Sequence, residues 1–365
     1  MRIALLHPTY WPEVRRGSER LAHDLGVSLV ERGHQVTLLT SHAAPSTTEV
    51  EDGIAVMRAR RTRRLAGVHL YEDHVENAPA TVRRLLRGDF DVAHALHPAD
   101  AWAAGHARRW GGPPVLFSVH GIIDREYLVS RRRRLELYRS AIARAGAVSA
   151  LSAAAAEPFR RYALGEPVIL PGGVISEHYA GERRQPERPT LLCASSLTDP
   201  RKRASLLFES FERIGAAGDV RLVVAAGRDP FRDYRPPAVP DGVEVVEIDT
   251  SGALAEAFRS ATATVLPSVD EAFGLVLLES LAAGTPVVAA RSGACPDVVD
   301  DEAIGRLFEP DDADGLAAAM AATLELGARE QTASACRAHA AAWDWGEIVP
   351  RYESLYQRLV LEGGR

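Results

Sequence analysis

The sequence predicts an α/β protein of two domains, each built on a mainly parallel β-sheet. Short apolar runs alternate with amphipathic stretches through both halves of the chain, as βαβ units require. A polar, proline-containing segment, GERRQPER at 181–188, separates the halves in the manner of a linker. A length of 365 residues suits two domains better than one.

The first half contains strand-like apolar runs with helices between several of them, notably over Glu19–Arg32 and Arg131–Arg144. Strands are predicted at Ile3–His7, Gln35–Thr40, Ile54–Met57, Asp91–Ala95, Val115–Val119, Ala147–Leu151 and Val168–Leu170. Strands joined through helices pair in parallel, because the crossover returns the chain to the same end of the sheet.

The second half repeats this alternation. Strands are predicted at Thr190–Ala194, Arg221–Ala225, Val243–Ile248, Thr262–Leu266 and Val287–Ala290. An alanine-rich helix near Ala313–Leu326 follows, and the segment from Trp345 has apolar residues on one helical face. We therefore expect a first domain over 1–180 and a second over 188–344, with a final helix at about 345–365 that returns to the first domain.

Composition indicates a cytoplasmic protein. No apolar run approaches the roughly 18 residues of a spanning helix. The opening MRIALLHP is stopped by proline, which indicates a first strand and not a signal peptide. The three cysteines, Cys193, Cys295 and Cys336, are far apart and lack metal-ligand spacing, so we expect reduced thiols.

Charge is unevenly distributed along the chain. Residues 1–180 hold 24 arginines and 19 acidic residues, whereas the remainder holds 19 basic and 30 acidic residues. Arginine runs lie at 58–64 and 131–134. They are either solvated surface or a surface that meets an anionic acceptor or membrane. We expect no nucleic-acid partner.

The most informative segment is PSVDEAFGLVLLESLAAGTPVVAA at 267–290. It follows ATATVLP, an apolar run typical of a buried parallel strand. Gly274 permits a ligand to approach the backbone closely, and the helix that begins at Leu275 presents unpaired N–H groups that favour an anion. Gly284, followed closely by Pro286, ends that helix. The pattern predicts a diphosphate at the helix N-terminus.

Two glutamates, Glu271 and Glu279, flank this helix start with seven residues between them. Glu271 lies in the loop before the helix, and Glu279 lies more than a turn inside it. A carboxylate can accept two hydroxyl hydrogen bonds, so the pair can hold two sugars: a hexose near the phosphates and a ribose further away. The plain alternative to a sugar site is that one glutamate caps the helix and the other is exposed to solvent.

A single lysine, Lys202, stands among 42 arginines, in TDPRKRASLL just after a predicted strand. Chance could leave one lysine anywhere. Its place beside a phosphate-facing loop favours a functional role.

Segment 267–290 resembles the E-x7-E signature of retaining GT-B glycosyltransferases of family 4, the glycogen-synthase-like group. The resemblance covers nearly the whole chain and is strongest at 190–300. It implies a GT-B fold, in which two Rossmann-like domains face each other and ligands bind in the cleft between them, at the carboxyl ends of the strands. It also implies retaining transfer of a hexose-like sugar from a nucleoside diphosphate sugar, without a metal or other cofactor.

The resemblance assigns a donor-binding role to a set of residues in the second domain. They are Arg201, Lys202, Ala272, Phe273, Gly274, Leu275 and Glu279. Lys202 and the helix amides would contact the diphosphate, and Glu279 would hold the ribose. Glu271, one of two implied catalytic residues, would bind the sugar hydroxyls together with the amides of 272–274.

The first domain supplies the other implied residues. VLFSVHG ends a strand with His120, which the resemblance places against the hexose and the reacting centre as the second catalytic residue. HPTYWPEVRRGSER resembles the family's opening strand, glycine loop and helix. In that loop Gly17 matches a glycine that approaches the donor phosphates and the acceptor.

Three positions depart from the family pattern. Arg16 stands where a second glycine is usual, unless the loop carries an insertion. Ser196 takes the place of a phosphate-binding arginine, and Arg201 or Arg203 is a candidate replacement. Gly227 stands alone where a glycine pair is usual.

Other polar residues have more than one interpretation. Asp89 and Asp91 form a superficial D-x-D metal motif, which we reject because Asp91 directly precedes a strand and GT-B enzymes typically need no bound metal. His94 and His97 are either structural or on the acceptor side.

Two alternatives to transfer stay open from sequence: a sugar-nucleotide epimerase of GT-B fold, and a non-catalytic sugar-nucleotide-binding protein. The acceptor is either a small molecule or linked to a lipid. A lipid acceptor would suit peripheral contact of the basic first half with an anionic membrane, at its inner face.

Overall fold

The computed structural model describes residues 1–11, 13–14, 16–61, 74–130, 133–215, 219–225, 237–248 and 250–363. The chain forms two compact units. Unit 1 comprises Met1–Gly172 and Ile348–Arg365, and unit 2 comprises Gly173–Glu347. The boundary therefore falls at Gly172, eight residues before the position predicted from sequence.

The polar segment 181–188 is part of unit 2. The guanidinium of Arg183 donates hydrogen bonds to the carbonyls of Gly327 and Thr262, each at 2.7 Å. The Gln185 amide also donates to Gly327 O, at 2.9 Å. The segment therefore differs from the predicted linker, because Arg183 and Gln185 hydrogen-bond to backbone carbonyls of unit 2.

Unit 1 is built on a sheet that has eight strands among the described residues. They are β1 (Arg2–Leu6), β2 (Gln35–His42), β3 (Thr47–Glu51), β4 (Ile54–Arg60), β5 (Val92–Ala95), β6 (Val115–Val119), β7 (Ala147–Ala150) and β8 (Val168–Ile169). The order across the sheet is β3-β4-β2-β1-β5-β6-β7-β8. All neighbours are parallel except β3 and β4.

Strand β3 was not predicted. Its sequence, TTEVE, is mostly polar and lies at the sheet edge, so it has no buried apolar run to reveal it. The signal that could have found it is Asp52-Gly53, since both residues have positive φ and form the tight hairpin turn to β4.

Helices pack against this sheet. They are α1 (Gly17–Glu31), α2 (Ala78–Arg87), α3 (Pro98–Arg108), α4 (Arg125–Val129), α5 (Arg134–Ile142) and α6 (Ala153–Arg161). The central strands are buried throughout because helices cover a parallel sheet on both faces. Leu5 and Phe117, for instance, are fully buried.

Unit 2 has a second sheet, parallel throughout its described strands. The strands are β9 (Thr190–Ala194), β10 (Arg221–Ala225), β11 (Val243–Val246), β12 (Ala263–Leu266), β13 (Val287–Ala290) and β14 (Gly305–Phe308). Their order is β11-β10-β9-β12-β13-β14. Strand β14 was missed by the sequence pattern.

The helices of unit 2 follow the strands. They are α7 (Ser176–Tyr179), α8 (Ala204–Gly215), α9 (Ser251–Arg259), α10 (Leu275–Ala282), α11 (Cys295–Val298), α12 (Ala313–Gly327) and α13 (Thr332–Ala341). The core joins α8 and α12 to the central strands through residues such as Leu207, Val265 and Met320.

The last helix, α14 (Trp345–Gly363), packs most of its length on unit 1. Tyr352 donates a hydrogen bond to the carbonyl of Pro171 at 3.0 Å. The Tyr356 hydroxyl lies 2.7 Å from His94 Nδ1. His94 is therefore a structural residue. None of the helices in the described part of the chain is long and apolar enough to cross a membrane.

Candidate functional site

The loop 268–274 leaves the carboxyl end of β12 and is held from both sides. On one side the N–H of Val269 donates to the carbonyl of Arg201 at 3.0 Å. On the other, the N–H of Ala294 donates to the carbonyl of Glu271 at 2.8 Å. The loop that carries Glu271 therefore has a fixed path.

Helix α10 begins where this loop ends. Gly274 is its N-cap and has a φ of 86°, in the left-handed region that glycine adopts without strain. The first amides of the helix have no acceptor within it and carry the positive end of the helix dipole. The helix N-terminus expected from sequence is therefore present at Leu275.

Lys202 and Glu271 form an ion pair. Lys202 ends the short 3-10 turn Pro200–Lys202, which Asp199 caps by accepting a hydrogen bond from Arg201 N at 3.1 Å. The side chains of Lys202 and Glu271 are only 22% and 17% exposed, so this ion pair is partly shielded from water. The predicted lysine and the first predicted glutamate thus meet, although 69 residues separate them.

Glu279 lies on α10 and is 1% exposed. It is therefore not the solvated glutamate of the plain alternative. A carboxylate this deeply buried beside the helix start can accept hydrogen bonds from hydroxyl groups.

The two candidate replacements for the arginine missing at Ser196 are both paired with acids. Arg201 donates to Asp199 at 2.8 Å, and Arg203 pairs with Asp311 at 3.2 Å. Ser196 Oγ lies 2.9 Å from the hydroxyl of Thr198.

Two serines missed by the sequence interpretation lie at the ends of adjacent strands. Ser195 follows β9 and Ser268 follows β12, and these strands pair in parallel. Ser268 is fully buried. Within the described residues, neither hydroxyl has a hydrogen-bond partner. Buried hydroxyls of this kind can donate a hydrogen bond to a ligand oxygen.

In unit 1 three histidines follow adjacent parallel strands. His7 follows β1, His97 comes two residues after β5, and His120 directly follows β6. Burial, reinforced by neighbouring His7 and opposed by Glu19, lowers the pKa of His120 to about 3. His120 Nδ1 is enclosed and has no hydrogen-bond partner within the described residues. Only His120 was singled out as catalytic from sequence.

Gly17 is the first residue of α1, and a β-carbon there would have no atom within 4 Å. Arg16 precedes it as the N-cap and pairs with Glu19 at 2.8 Å. Glu19 is completely buried and was not predicted as a site residue.

Both aspartates of the D-x-D motif pair with Arg2. Asp91 accepts hydrogen bonds from the Arg2 amide and guanidinium, each at 2.7 Å, and Asp89 also pairs with Arg2. Within the described residues no three His, Cys, Asp or Glu side chains are grouped to hold a metal. The cysteines are buried and unpaired, and burial raises the pKa of each thiol to about 12.

Two residues of the arginine runs hydrogen-bond to backbone carbonyls within unit 1. Arg58 donates to the carbonyl of Trp11 at 2.9 Å, and Arg134 donates to that of Tyr127 at 2.8 Å. Residues 62–64, 131–132 and Gly227 lie outside the described residues.

Family models match both halves of the chain. The model described as Glycosyltransferase Family 4 matches residues 15–178, and that described as Glycosyl transferases group 1 matches residues 188–325. A phosphatidyl-myo-inositol mannosyltransferase of Mycobacterium leprae is 27% identical over 100% of this chain and 99% of its own length. A D-inositol 3-phosphate glycosyltransferase of Acidothermus cellulolyticus is 34% identical over 40% of this chain and 35% of its own.

Solved structures share the fold. Sucrose-phosphate synthase from Thermosynechococcus elongatus superposes with a TM-score of 0.78 at 21% identity, covering 99% of each chain. Anabaena HepE gives a TM-score of 0.74 at 17% identity, covering 98% of this chain and all of its own. These matches confirm the fold class predicted from sequence. The chain belongs to the family 4 glycosyltransferases and has the GT-B fold.

Proposed function

We propose that this glycosyltransferase moves a hexose-like sugar from a nucleoside diphosphate sugar to an acceptor held mainly by unit 1, with retention at the anomeric carbon. The Lys202–Glu271 ion pair beside the N-terminus of α10 carries the donor part of this proposal. It brings a cation, a carboxylate and helix amides to one place. The neighbour HepE was solved in complex with UDP-glucose, which supports a donor of this class.

Charge on the departing diphosphate would be stabilised by unit 2. The amides of Gly274 and Leu275 are fixed by the helix start before the donor binds, so they need little reorganisation as negative charge develops, whereas Lys202 would exchange its contact with Glu271 for one with the diphosphate. We propose that they do this without a bound metal. Glu279, buried on α10, would accept hydrogen bonds from the ribose hydroxyls.

The sugar would be held by Glu271 together with the amides of Ala272 and Phe273. His120 would lie near the anomeric carbon. Its low pKa keeps the imidazole neutral at physiological pH, so it can exchange a hydrogen bond with a sugar hydroxyl without adding charge. The retaining outcome is inferred from the family resemblance.

The test of this site is sugar transfer and donor hydrolysis by Lys202→Ala and Glu271→Ala, each shown to be folded by circular dichroism. We expect both activities to fall at least about a hundredfold, since each substitution removes charge stabilisation at the reacting group. Arg213→Ala, an exposed cation on α8 of the same unit that pairs with Glu209, is the matched control. Unchanged activity in both site variants would refute the assignment. An epimer of the donor sugar formed with donor alone would instead favour the epimerase, which the family models already disfavour.

We also propose that the acceptor is linked to a lipid and that unit 1 touches an anionic membrane. Two relatives are named for inositol-containing substrates, one of them a lipid. Helix α2 exposes Arg83, Leu86 and Arg87, and Trp110, 74% exposed, follows the adjacent helix α3 beside the exposed Arg109. Basic and aromatic residues together are typical of surfaces that meet anionic headgroups.

Liposome flotation tests the membrane proposal. We expect the protein to float with anionic vesicles and not with neutral ones, and the Arg83→Glu/Arg87→Glu variant to lose flotation. Arg160→Glu/Arg161→Glu, an exposed pair of arginines on α6, is the control for charge alone. Failure of the wild type to float with anionic vesicles would remove the proposal.

A further inference from the structure

A short segment of unit 2, residues 291–294, lies against the loop that carries Glu271, and we call it the clasp. It follows β13, whereas the Glu271 loop follows β12. These two strands are parallel neighbours, so the segments that leave their carboxyl ends lie side by side. The clasp is therefore placed to control the path of the Glu271 loop.

The clasp holds two consecutive residues of that loop by hydrogen bonds. The hydroxyl of Ser292 accepts a hydrogen bond from the backbone N–H of Asp270 at 3.0 Å. The N–H of Ala294 donates to the carbonyl of Glu271 at 2.8 Å. Of these two contacts, the one that depends on a side chain is made by Ser292.

Asp270 has a backbone conformation that needs support. Its φ is 56°, in the left-handed region, where a β-carbon crowds the backbone and glycine alone is free of strain. The residue is exposed, so packing around its side chain does little to hold this conformation. The hydrogen bond from its N–H to Ser292 Oγ therefore stabilises the left-handed geometry.

This conformation sets the direction of Glu271. Asp270 directly precedes Glu271, so a change in the φ and ψ angles of Asp270 would turn the peptide that carries the Glu271 side chain. In the observed geometry that side chain reaches Lys202. An extended Asp270 would carry the carboxylate away from this position.

Ser292 is itself anchored to the sheet. Its N–H donates to the carbonyl of Ala290, the last residue of β13, at 2.8 Å. Its carbonyl accepts a hydrogen bond from the N–H of Cys295, a buried residue at the start of α11, at 3.2 Å. The hydroxyl is thus fixed relative to the sheet, as a residue that aligns a functional loop requires.

We propose that Ser292 is a positioning residue for the donor sugar: its hydroxyl keeps Asp270 left-handed and so directs Glu271 at the sugar hydroxyls. The inference rests on the proposed function, because it takes Glu271 to bind the sugar. The diphosphate would be held by other groups, Lys202 and the first amides of α10. Ser292 should therefore affect the contribution of the sugar to binding, and not that of the diphosphate.

The quantity that tests this is the sugar ratio, which we define as the affinity for a nucleotide sugar divided by the affinity for the same nucleoside diphosphate without its sugar. Calorimetry on the full chain measures both affinities. The probe pairs are UDP-glucose with UDP, GDP-mannose with GDP and ADP-glucose with ADP, and the pair that raises the wild-type melting temperature most is used. A loss of fold stability lowers both affinities together and leaves the ratio unchanged.

Two substitutions at Ser292 test the hydroxyl. Ser292→Ala removes the hydrogen-bond acceptor, whereas Ser292→Thr keeps it and adds a methyl group at a partly exposed position. Ser46→Ala is the matched control, since Ser46 Oγ accepts a hydrogen bond from the N–H of Arg60 at 2.9 Å in unit 1.

A substitution at Asp270 tests the link between the two residues. Glycine adopts a positive φ without strain, so Asp270→Gly removes the need for support by Ser292. The effect of Ser292→Ala should therefore be smaller in the Asp270→Gly background than in the wild type, as expected of residues that act through one another.

We expect Ser292→Ala to lower the sugar ratio about fivefold, because a single hydrogen bond is lost. Ser292→Thr and Ser46→Ala should keep the wild-type ratio, and the affinity for the nucleoside diphosphate should be unchanged in all three variants. In the Asp270→Gly background, Ser292→Ala should lower the ratio by about twofold or less. An unchanged ratio in Ser292→Ala, or an equal fall in both backgrounds, would overturn the inference.

Glu271→Ala, measured in the same way, separates this inference from the proposed function. If the ratio falls in Glu271→Ala and not in Ser292→Ala, the positioning role is wrong and the sugar contact of Glu271 stands. If the ratio is unchanged in Glu271→Ala, the sugar contact itself is wrong and the positioning role falls with it.

Discussion

Lys202, the only lysine of the chain, forms an ion pair with Glu271, the first glutamate of the E-x7-E segment. Each group thus neutralises the other. A donor that places its diphosphate against Lys202 and its sugar against Glu271 would replace this pairing with two separate contacts. The two residues should therefore respond differently to different parts of the donor.

Binding of a nucleoside diphosphate without sugar separates these roles. Lys202→Ala should weaken the binding of UDP, GDP or ADP, whichever stabilises the wild type most, by about tenfold or more, because a charge-assisted contact is lost. Glu271→Gln should retain diphosphate binding but lose the extra affinity contributed by the sugar. Thermal shift and calorimetry measure both. Equal loss of diphosphate affinity in the two variants would contradict the division of roles.

Gly293 fixes the loop that carries Glu271. Its φ is 58°, and a β-carbon there would lie 2.8 Å from Glu271 N and closer still to its carbonyl oxygen. Gly293→Ala should therefore displace the loop and reduce donor turnover by about tenfold or more. Gly242→Ala is the control, because Gly242 also has a positive φ of 83° but a β-carbon there would meet nothing within 4 Å. Equal turnover in the two variants would show that the close contact does not matter.

Ser196→Arg would restore the cation that the family pattern carries at this position. We expect it to tighten nucleoside diphosphate binding severalfold and to make that binding more sensitive to salt, since a positive charge is added in the loop that follows β9 and leads to Lys202. Ser205→Arg adds the same charge at an exposed position of α8 and controls for net charge. Weaker binding in Ser196→Arg would indicate that the serine hydroxyl itself contacts the ligand.

Tyr356→Phe should lower the free energy of unfolding by about 1–3 kcal/mol, because it leaves the buried imidazole of His94 without a hydrogen-bond partner at Nδ1. His94 Nε2 keeps its contact with Ser118 Oγ at 2.6 Å. Urea unfolding measures the change, and Tyr162→Phe, at a partly exposed tyrosine, is the comparison. Identical unfolding midpoints in the two variants would argue that the contact contributes nothing to stability.

Asp100 should make the protein less stable as pH rises. Burial raises the pKa of this carboxyl from 3.8 to about 7, although a hydrogen bond with Thr81 opposes the shift. The folded state thus holds a proton that the unfolded state releases, so stability present below about pH 4 is lost as pH rises towards 7. The full effect is up to about 4 kcal/mol.

Asp100→Asn removes this titration. The difference in free energy of unfolding, variant minus wild type, should therefore rise by up to about 4 kcal/mol between pH 4 and pH 8, as measured by urea unfolding at several pH values. Asp241→Asn, at an exposed aspartate, should show no such change relative to the wild type. A difference between Asp100→Asn and wild type that stays constant with pH would contradict the assigned pKa.

The local sequence was sufficient to predict a strand wherever the strand is buried along its whole length. Parallel strands covered on both faces are continuous apolar runs, so β1, β6, β9 and β13 could be predicted within a residue or two. The same reasoning failed for β3, an exposed polar edge strand whose signal was the neighbouring Asp52-Gly53 turn. It also failed for the segment 181–188, because the carbonyls that Arg183 and Gln185 bind lie far along the chain.

The α/β class, the family 4 resemblance and the helix N-terminus after Gly274 could all be predicted, because each depends on residues close together in the chain. Three relationships became visible in the folded protein alone: Lys202 meets Glu271, His94 supports the C-terminal helix, and His7, His97 and His120 share one edge of a sheet. They depend on strand order. Which distant residues become neighbours depends on how the strands pair across a sheet, and no local pattern of residues records that pairing.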